Sequence, residues 1–419
     1  MKMTWRHSFA KRSLLHALNQ VSDGQLTLLT NEGEYRFGDP AAELQALIQI
    51  HRDRFWERVL FDGDEGAGDS YVDGDWSTPD LVSVVRLVVR NTQISEQSRW
   101  ASLLSRFINR VRHLSHRNTL AGSRRNIHAH YDLSNEMFQT FLDRQMVYSC
   151  GYFPTAEASL EAAQVEKIDR LCRKLRLGPD DHLLEIGTGW GALALHAAER
   201  YRCRVTTTTI SAQQYDYAAA RFAESPAADR IKLLQQDYRT LTGKFNKIAS
   251  VEMFEAVGLD FYDDFFGACD RLLADDGVMA MQTITMNEHR FSEYRRTTDW
   301  IQRRIFPGGE LASIREIQAS LVRATKLSLF HMEEIGMHYA HTLAEWSRRF
   351  ERNLGRIRKM GFDDRFIRTW EYYLAYCEGA FRERYIGTAQ LVLTKASASI
   401  SHYSEPWSLG AETKRRNVV

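Results

Sequence analysis

The chain has 419 residues, a net charge of +1, 44% hydrophobic and 26% charged residues, an ordinary composition for a globular protein large enough for two domains. The balanced charge gives no global pull toward nucleic acid. The five scattered cysteines (Cys150, Cys172, Cys203, Cys269, Cys377) lack metal or disulfide spacing, which favours a reducing cytosol and predicts no metal site.

No run approaches the roughly 18 uncharged apolar residues that a membrane-crossing helix needs. The charged start, MKMTWRHSFAKRSLLHAL, does not read as a signal peptide. A short amphipathic helix is predicted over 8–19. A hairpin follows, with arms Gln25-Leu-Thr-Leu-Leu and Glu34-Tyr-Arg-Phe around Asn31-Glu-Gly. A helix is predicted near 40–50. Phe61–Trp76, FDGDEGAGDSYVDGDW, reads as a Gly/Asp-rich loop without the fixed ligand spacing of an EF-hand. Residues 1–95 thus read as a small α+β domain.

Residues 97–131 contain no Asp or Glu but seven arginines, and Trp100, Leu103, Leu104, Phe107, Ile108, Val111 and Leu114 recur at helical spacing. A basic amphipathic linker helix over 96–127 fits contact with an anionic membrane surface, and it equally fits packing on a neighbouring domain.

From about 160, strands and helices alternate. Strands are predicted at Leu183–Ile186, Val205–Ile210, Ile231–Leu234, Lys247–Val251 and Val278–Ile284, with helices at Ala192–Arg200, Ser211–Glu224 and 260–273. Such alternation predicts a parallel sheet covered by helices on both faces. Residues 286–385 read as mostly helical and aromatic, Thr388–Thr394 as a closing strand, and 396–419 as a polar tail.

The first of these strands runs into Glu185-Ile186-Gly187-Thr188-Gly189-Trp190-Gly191, just before a helix. Glycines let the backbone turn tightly and approach a ligand, and the helix start offers unpaired N–H groups. Dinucleotide loops read GxGxxG. The GxGxG spacing here suits a ligand with an amino-acid tail and no phosphate, S-adenosylmethionine, whose ammonium Glu185 would accept. Gln236, Asp237 and Tyr238 follow the third strand, where a carboxylate and an aromatic ring suit an adenine. Thr209, Ser211, Gln213 and Gln214 follow the second, where hydroxyls and amides would hold the ribose; Ser211 is equally a good helix N-cap.

Several runs go further: HYDLSNEMF (His130–Phe138), MVYSCGYF (Met146–Phe153), TISAQQ, QQDYR, SVEMFEAVG (Ser250–Gly258), MQTIT (Met281–Thr285) and IFPGGEL (Ile305–Leu311). Together with EIGTGWG they resemble the cyclopropane-fatty-acyl-phospholipid synthase family, and GAGDSYVDGDW resembles the lipid-binding N-terminal domain of its bacterial members. The resemblance implies a Rossmann-like class I methyltransferase domain over 128–395, with a mainly parallel seven-stranded sheet and a helical acyl-binding insertion. It implies transfer of the S-adenosylmethionine methyl to a cis double bond of a phospholipid acyl chain. The resulting carbocation loses a proton to bound bicarbonate and closes to a cyclopropane.

The same resemblance implies a cytoplasmic homodimer, peripheral on the inner face of the membrane. Tyr148 and Ser149 match cofactor contacts, and Cys150, Glu255, Ile284 and Tyr339 match residues around the bicarbonate. Cys377 matches a cysteine associated with activity, although its apolar helical setting fits packing as well. One departure is Gln282, where members commonly carry histidine. Glutamine donates a hydrogen bond but carries no charge and shuttles no proton. Without ring closure the same carbocation gives a methyl- or methylene-branched chain. A small-molecule methyltransferase on this scaffold and a silent lipid-binding protein are the other readings; nothing points to nucleic acid.

Overall fold

The computed structural model describes residues 5–92 and 134–398. The basic segment 97–131 and nearly all of the polar tail lie outside the described residues.

Helix α1 (Trp5–Leu18) precedes a four-stranded sheet. Strands β1 (Gln25–Thr30) and β2 (Gly33–Gly38) form the expected hairpin, Gln25 opposite Gly38. The helix expected near 40–50 is instead strand β3 (Gln45–Ile50), paired parallel with β1. Its Ala46, Ile48 and Ile50 are buried in alternation, and a period of two belongs to a strand.

The loop expected from Phe61 is also corrected. Arg54–Val72 is helix α2, bent at Gly63 where φ is 58° and ψ −135°. The acids after it make ion pairs: fully buried Asp75 meets Arg54 at 2.6 Å, Arg58 at 3.3 Å and the Ser70 hydroxyl at 3.0 Å. Strand β4 (Trp76–Ser77) and helix α3 (Leu81–Arg90) complete this part, in the sheet order β2-β1-β3-β4.

The second sheet contains β5 (His182–Ile186), β6 (Arg204–Thr208), β7 (Ile231–Leu234), β8 (Phe245–Val251), β9 (Leu273–Met286), β10 (Leu327–Glu334) and β11 (Ile386–Lys395). Its order is β10-β11-β9-β8-β5-β6-β7. β5 to β9 run parallel, and β11 is antiparallel to both β9 and β10. This is the mainly parallel seven-stranded class I methyltransferase sheet. Strand β10 interrupts the region expected to be mostly helical; only every second residue of it is buried or half-buried.

The helices used below are α4 (Leu160–Leu175), α5 (Ala192–Arg200), α6 (Ala212–Ala223), α7 (Tyr262–Leu272), α8 (Ile314–Ala324), α9 (Gly336–Arg352) and α10 (Asp364–Arg382). One apolar cluster joins the sheet to α7 and α8, and another joins it to α4 and α5. A third is continuous from Leu26, Ile48 and Trp56 of the N-terminal part to Trp300, Trp346, Trp370 and Phe381. Strand order reverses between β5 and its neighbours β6 and β8, the place where open α/β sheets hold ligands beyond their carboxyl ends.

Candidate active site

The apolar strand β5 ends in a loop only glycine tolerates cheaply, with φ of 101° at Gly187, 52° at Gly189 and 90° at Gly191. The N–H groups of Gly187 and Thr188 donate to the Thr208 carbonyl at 3.0 and 3.1 Å, tying the loop to β6. Thr207 donates to Glu185 at 2.5 Å, and the Thr188 hydroxyl lies 2.7 Å from that of Thr207. Glu185 is thereby aimed into a cavity of about 210 Å³, and burial pushes its pKa up to about 8.

That cavity is also walled by Tyr148, Ser149, Gly187, Gly189, Trp190, Thr209, Gln214, Gln236, Asp237 and Tyr238. Asp237 takes Arg239 through both oxygens, at 2.9 and 2.7 Å, while Tyr238 packs edge-on against Phe265. Asp237 Oδ1 also accepts the Arg239 main-chain N–H at 3.0 Å. Trp190 is fixed by donating to Asn135 at 2.8 Å.

Three residues expected on the cofactor lie off this wall. Ser211 caps α6, accepting from the Gln214 N–H. Gln213 points out on the exposed first turn of that helix. Gly191 serves packing: a Cβ there would stand 2.6 Å from Phe222.

At the far end of the cavity stands a residue the sequence reading passed over. Glu252, the first residue after β8, walls the cavity with a φ of 46°, a left-handed conformation rare outside glycine. Such strain persists where surrounding contacts overdetermine it. Its Oε1 accepts the Cys150 N–H at 2.9 Å and Gln282 Nε2 at 2.7 Å, and its Oε2 accepts the Tyr339 hydroxyl at 2.8 Å. Burial raises its pKa, opposed by these donors and by Lys167, a buried lysine that donates to Ser149 at 2.7 Å.

Gln282 is held from behind as well. Lys174, fully buried, donates to Gln390 Oε1 at 2.6 Å, and Gln390 Nε2 donates to Gln282 Oε1 at 3.0 Å. A lysine only donates. Both amides are therefore oriented with the N–H₂ of Gln282 toward Glu252.

Glu255 sits beside this group, accepting from Ile284 N at 2.5 Å and the Thr283 hydroxyl at 3.0 Å. Burial, and then the neighbouring Glu252, push its pKa up to about 8. Ile284 contributes its main chain, not its side chain. Cys150 does too, since its thiol faces the Gly151 carbonyl at 3.2 Å and burial drives it well above the ordinary range. Cys377, on α10, packs against the aromatic cluster and does not wall the cavity.

The residues fit S-adenosylmethionine, with an acid at the strand end, a glycine loop, and an acid–aromatic pair after β7. They do not fit bicarbonate. The Cys150 N–H, Gln282 and Tyr339 that it needs are committed to Glu252, and Ile284 N to Glu255. Bicarbonate would also bring an anion against two buried carboxyls, a placement that burial and like-charge repulsion oppose.

A family model described as mycolic acid cyclopropane synthetase matches residues 118–391. The tuberculostearic acid methyltransferase of Mycobacterium tuberculosis is 37% identical over 356 residues, spanning 83% of this chain and 82% of its own. The cyclopropane-fatty-acyl-phospholipid synthase of Escherichia coli K12 is 35% identical over 359 residues, spanning 83% and 87%. A mycolic acid cyclopropane synthase solved with SAH and CTAB superposes with a TM-score of 0.60 at 33% identity, covering 65% of this chain and 98% of that one. The chain belongs to the cyclopropane synthase family of S-adenosylmethionine-dependent methyltransferases.

Proposed function

We propose that the protein adds the methyl carbon of S-adenosylmethionine to the cis double bond of an unsaturated acyl chain in membrane phospholipid and closes it to a cyclopropane. The observation that carries this reading is a shared wall: Tyr148 borders the cofactor cavity and also belongs to the aromatic cluster. Its ring lies 5.2 Å from Trp346 and 5.3 Å from Phe138, and its hydroxyl 2.8 Å from that of Tyr373. An acyl chain among these rings would present its alkene to the cavity with water excluded.

An alkene is a weak nucleophile, so the protein's work is positioning in a dry site. The cofactor supplies the electrophilic methyl. Glu185 takes its ammonium, Asp237 and Tyr238 its adenine, and the glycine loop lets its tail lie against the backbone. Aromatic faces such as Tyr339, stacked on Phe381 at 4.5 Å, favour cationic character by about 0.5–2 kcal/mol per contact. The acid-free, arginine-rich sequence 97–131 supports contact with anionic lipid. A second reading, a methyl- or methylene-branched product, is favoured by Gln282 in the place of histidine and by the likeness to the tuberculostearic acid methyltransferase.

Incubation with unsaturated phospholipid vesicles and S-adenosylmethionine, followed by mass spectrometry of the released fatty acids, tests the proposal. A gain of one CH₂ is expected, with NMR separating cyclopropane from its branched isomers. No mass gain with either anionic or zwitterionic vesicles overturns it.

A further inference from the structure

We propose that Glu252 is a built-in base of this enzyme, its carboxylate occupying the place of a bicarbonate and taking the proton that the acyl cation must lose. The proposal rests on the acyl-chain reading above and deepens it.

Three donors converge on this one side chain, the Cys150 N–H, Gln282 Nε2 and the Tyr339 hydroxyl, at 2.7–2.9 Å. They come from the loop after Met146, from β9 and from α9. Three such bonds favour the ionised form of the carboxylate against the burial that opposes it, and leave a lone pair to take a proton. The left-handed backbone at Glu252, pinned by its N–H to the Gln282 carbonyl at 2.8 Å, turns the side chain toward the cavity. Gln282 suits this arrangement better than histidine does. Its orientation is dictated by Lys174 through Gln390, so that it presents an uncharged donor to Glu252. A neutral histidine there would itself be a base, competing for the proton that Glu252 has to accept.

The chemistry balances without an added anion. As the S–C bond of the sulfonium breaks, a C–C bond forms to one alkene carbon, leaving a thioether and a cation on the other carbon. A C–H bond of the new methyl then breaks and its proton passes to Glu252. If the electron pair closes directly on the cationic carbon, the product is a cyclopropane. If a hydride first shifts between the two former alkene carbons, putting the cation on the carbon that bears the new methyl, the same pair forms a methylene branch. Either way Glu252 ends protonated and returns the proton to solvent before the next turnover.

The test uses the full chain with unsaturated phospholipid vesicles in carbon dioxide-free buffer. Wild-type turnover is expected to change by less than about twofold when bicarbonate is added. Glu252→Ala is expected to lose about 100-fold or more in turnover, the scale of a lost general base, while still binding S-adenosylhomocysteine by calorimetry. Formate or bicarbonate should restore part of the Glu252→Ala activity by filling the vacated space. Glu252→Gln, whose amide fills that space, should be inactive and beyond rescue. A wild type that requires bicarbonate, or a Glu252→Gln variant of unimpaired turnover in its absence, overturns the proposal. Neither outcome would touch the acyl-chain reading, which fails only if no vesicle yields product at all.

Discussion

Glu185 is a buried acid held at a pKa of about 8 by desolvation, so near neutral pH it keeps its proton while the cavity holds no cation. An ammonium placed against it favours the charged form and pulls the pKa down. Cofactor binding below about pH 8 is therefore coupled to release of a proton. Calorimetry of S-adenosylhomocysteine binding in buffers of different ionisation enthalpy should read a release approaching one proton near neutrality, fading above about pH 8. Glu185→Gln should abolish the release and weaken binding by roughly 1.5–3 kcal/mol, the worth of a charged hydrogen bond. Because the folded pKa lies above the ordinary 4.5, this group's contribution to stability is present at acid pH and is lost as pH climbs toward 8. A proton release unchanged in the variant would place the titrating group elsewhere. Glu185 and its glycines were legible in the sequence because strand, loop and helix follow one another directly. Glu252 was not: its meaning depends on Gln282 and Tyr339, which lie 30 and 87 residues downstream. In SVEMFEAVG two acids stand three positions apart, and only the fold tells which one enters the cavity.

Among the elements, α2 shows why a glycine-rich stretch was misread. Composition pointed to turns, yet the glycines there are contact points on a helix that has bent back on itself. A Cβ on Gly66 would stand 2.0 Å from the Arg58 carbonyl, and one on Gly68 would stand 2.6 Å from Trp300 and 2.8 Å from Tyr372. The glycines are what lets α2 lie against those two aromatics. Gly68→Ala should therefore cost about 1–3 kcal/mol through overpacking, despite alanine's better helix propensity. A thermal melt reads this as a lower midpoint; a raised midpoint would mean that Trp300 and Tyr372 move aside without cost. β10 escaped the sequence reading for a different reason. Its sequence, LSLFHMEE, sits between helices and mixes charge with apolar residues. What fixes it is its antiparallel pairing with β11 and the ion pairs of Glu333, with Lys174 at 2.6 Å and with Arg170. None of those partners is a sequence neighbour.

At the scale of the molecule, the N-terminal part reads in sequence as a domain of its own, yet its residues share one apolar cluster with the aromatic helices. The junction is tight. A Cβ on Gly379 of α10 would stand 2.6 Å from Val85 of α3, Tyr71 donates to Glu371 at 3.2 Å, and Arg86 and Arg90 both grip Glu383, at 2.6 and 2.7 Å. Trp300 donates to Asp69 at 3.1 Å, and Arg365 reaches Asp73 at 2.5 Å. Partly exposed ion pairs of this kind contribute little singly, so the coupling rests on the buried apolar contact and its close packing. Separating the two parts would bare Tyr372 and Trp300 on one side and Tyr71 and Val85 on the other. The N-terminal sheet and the methyltransferase sheet should then unfold together, giving one calorimetric transition whose van't Hoff and calorimetric enthalpies agree. Gly379→Val forces a side chain into Val85 and should lower that single midpoint by the equivalent of about 1–3 kcal/mol. Two resolved transitions, only one of them moved by the substitution, would mean that the parts fold independently and that the shared cluster is a docking surface between them.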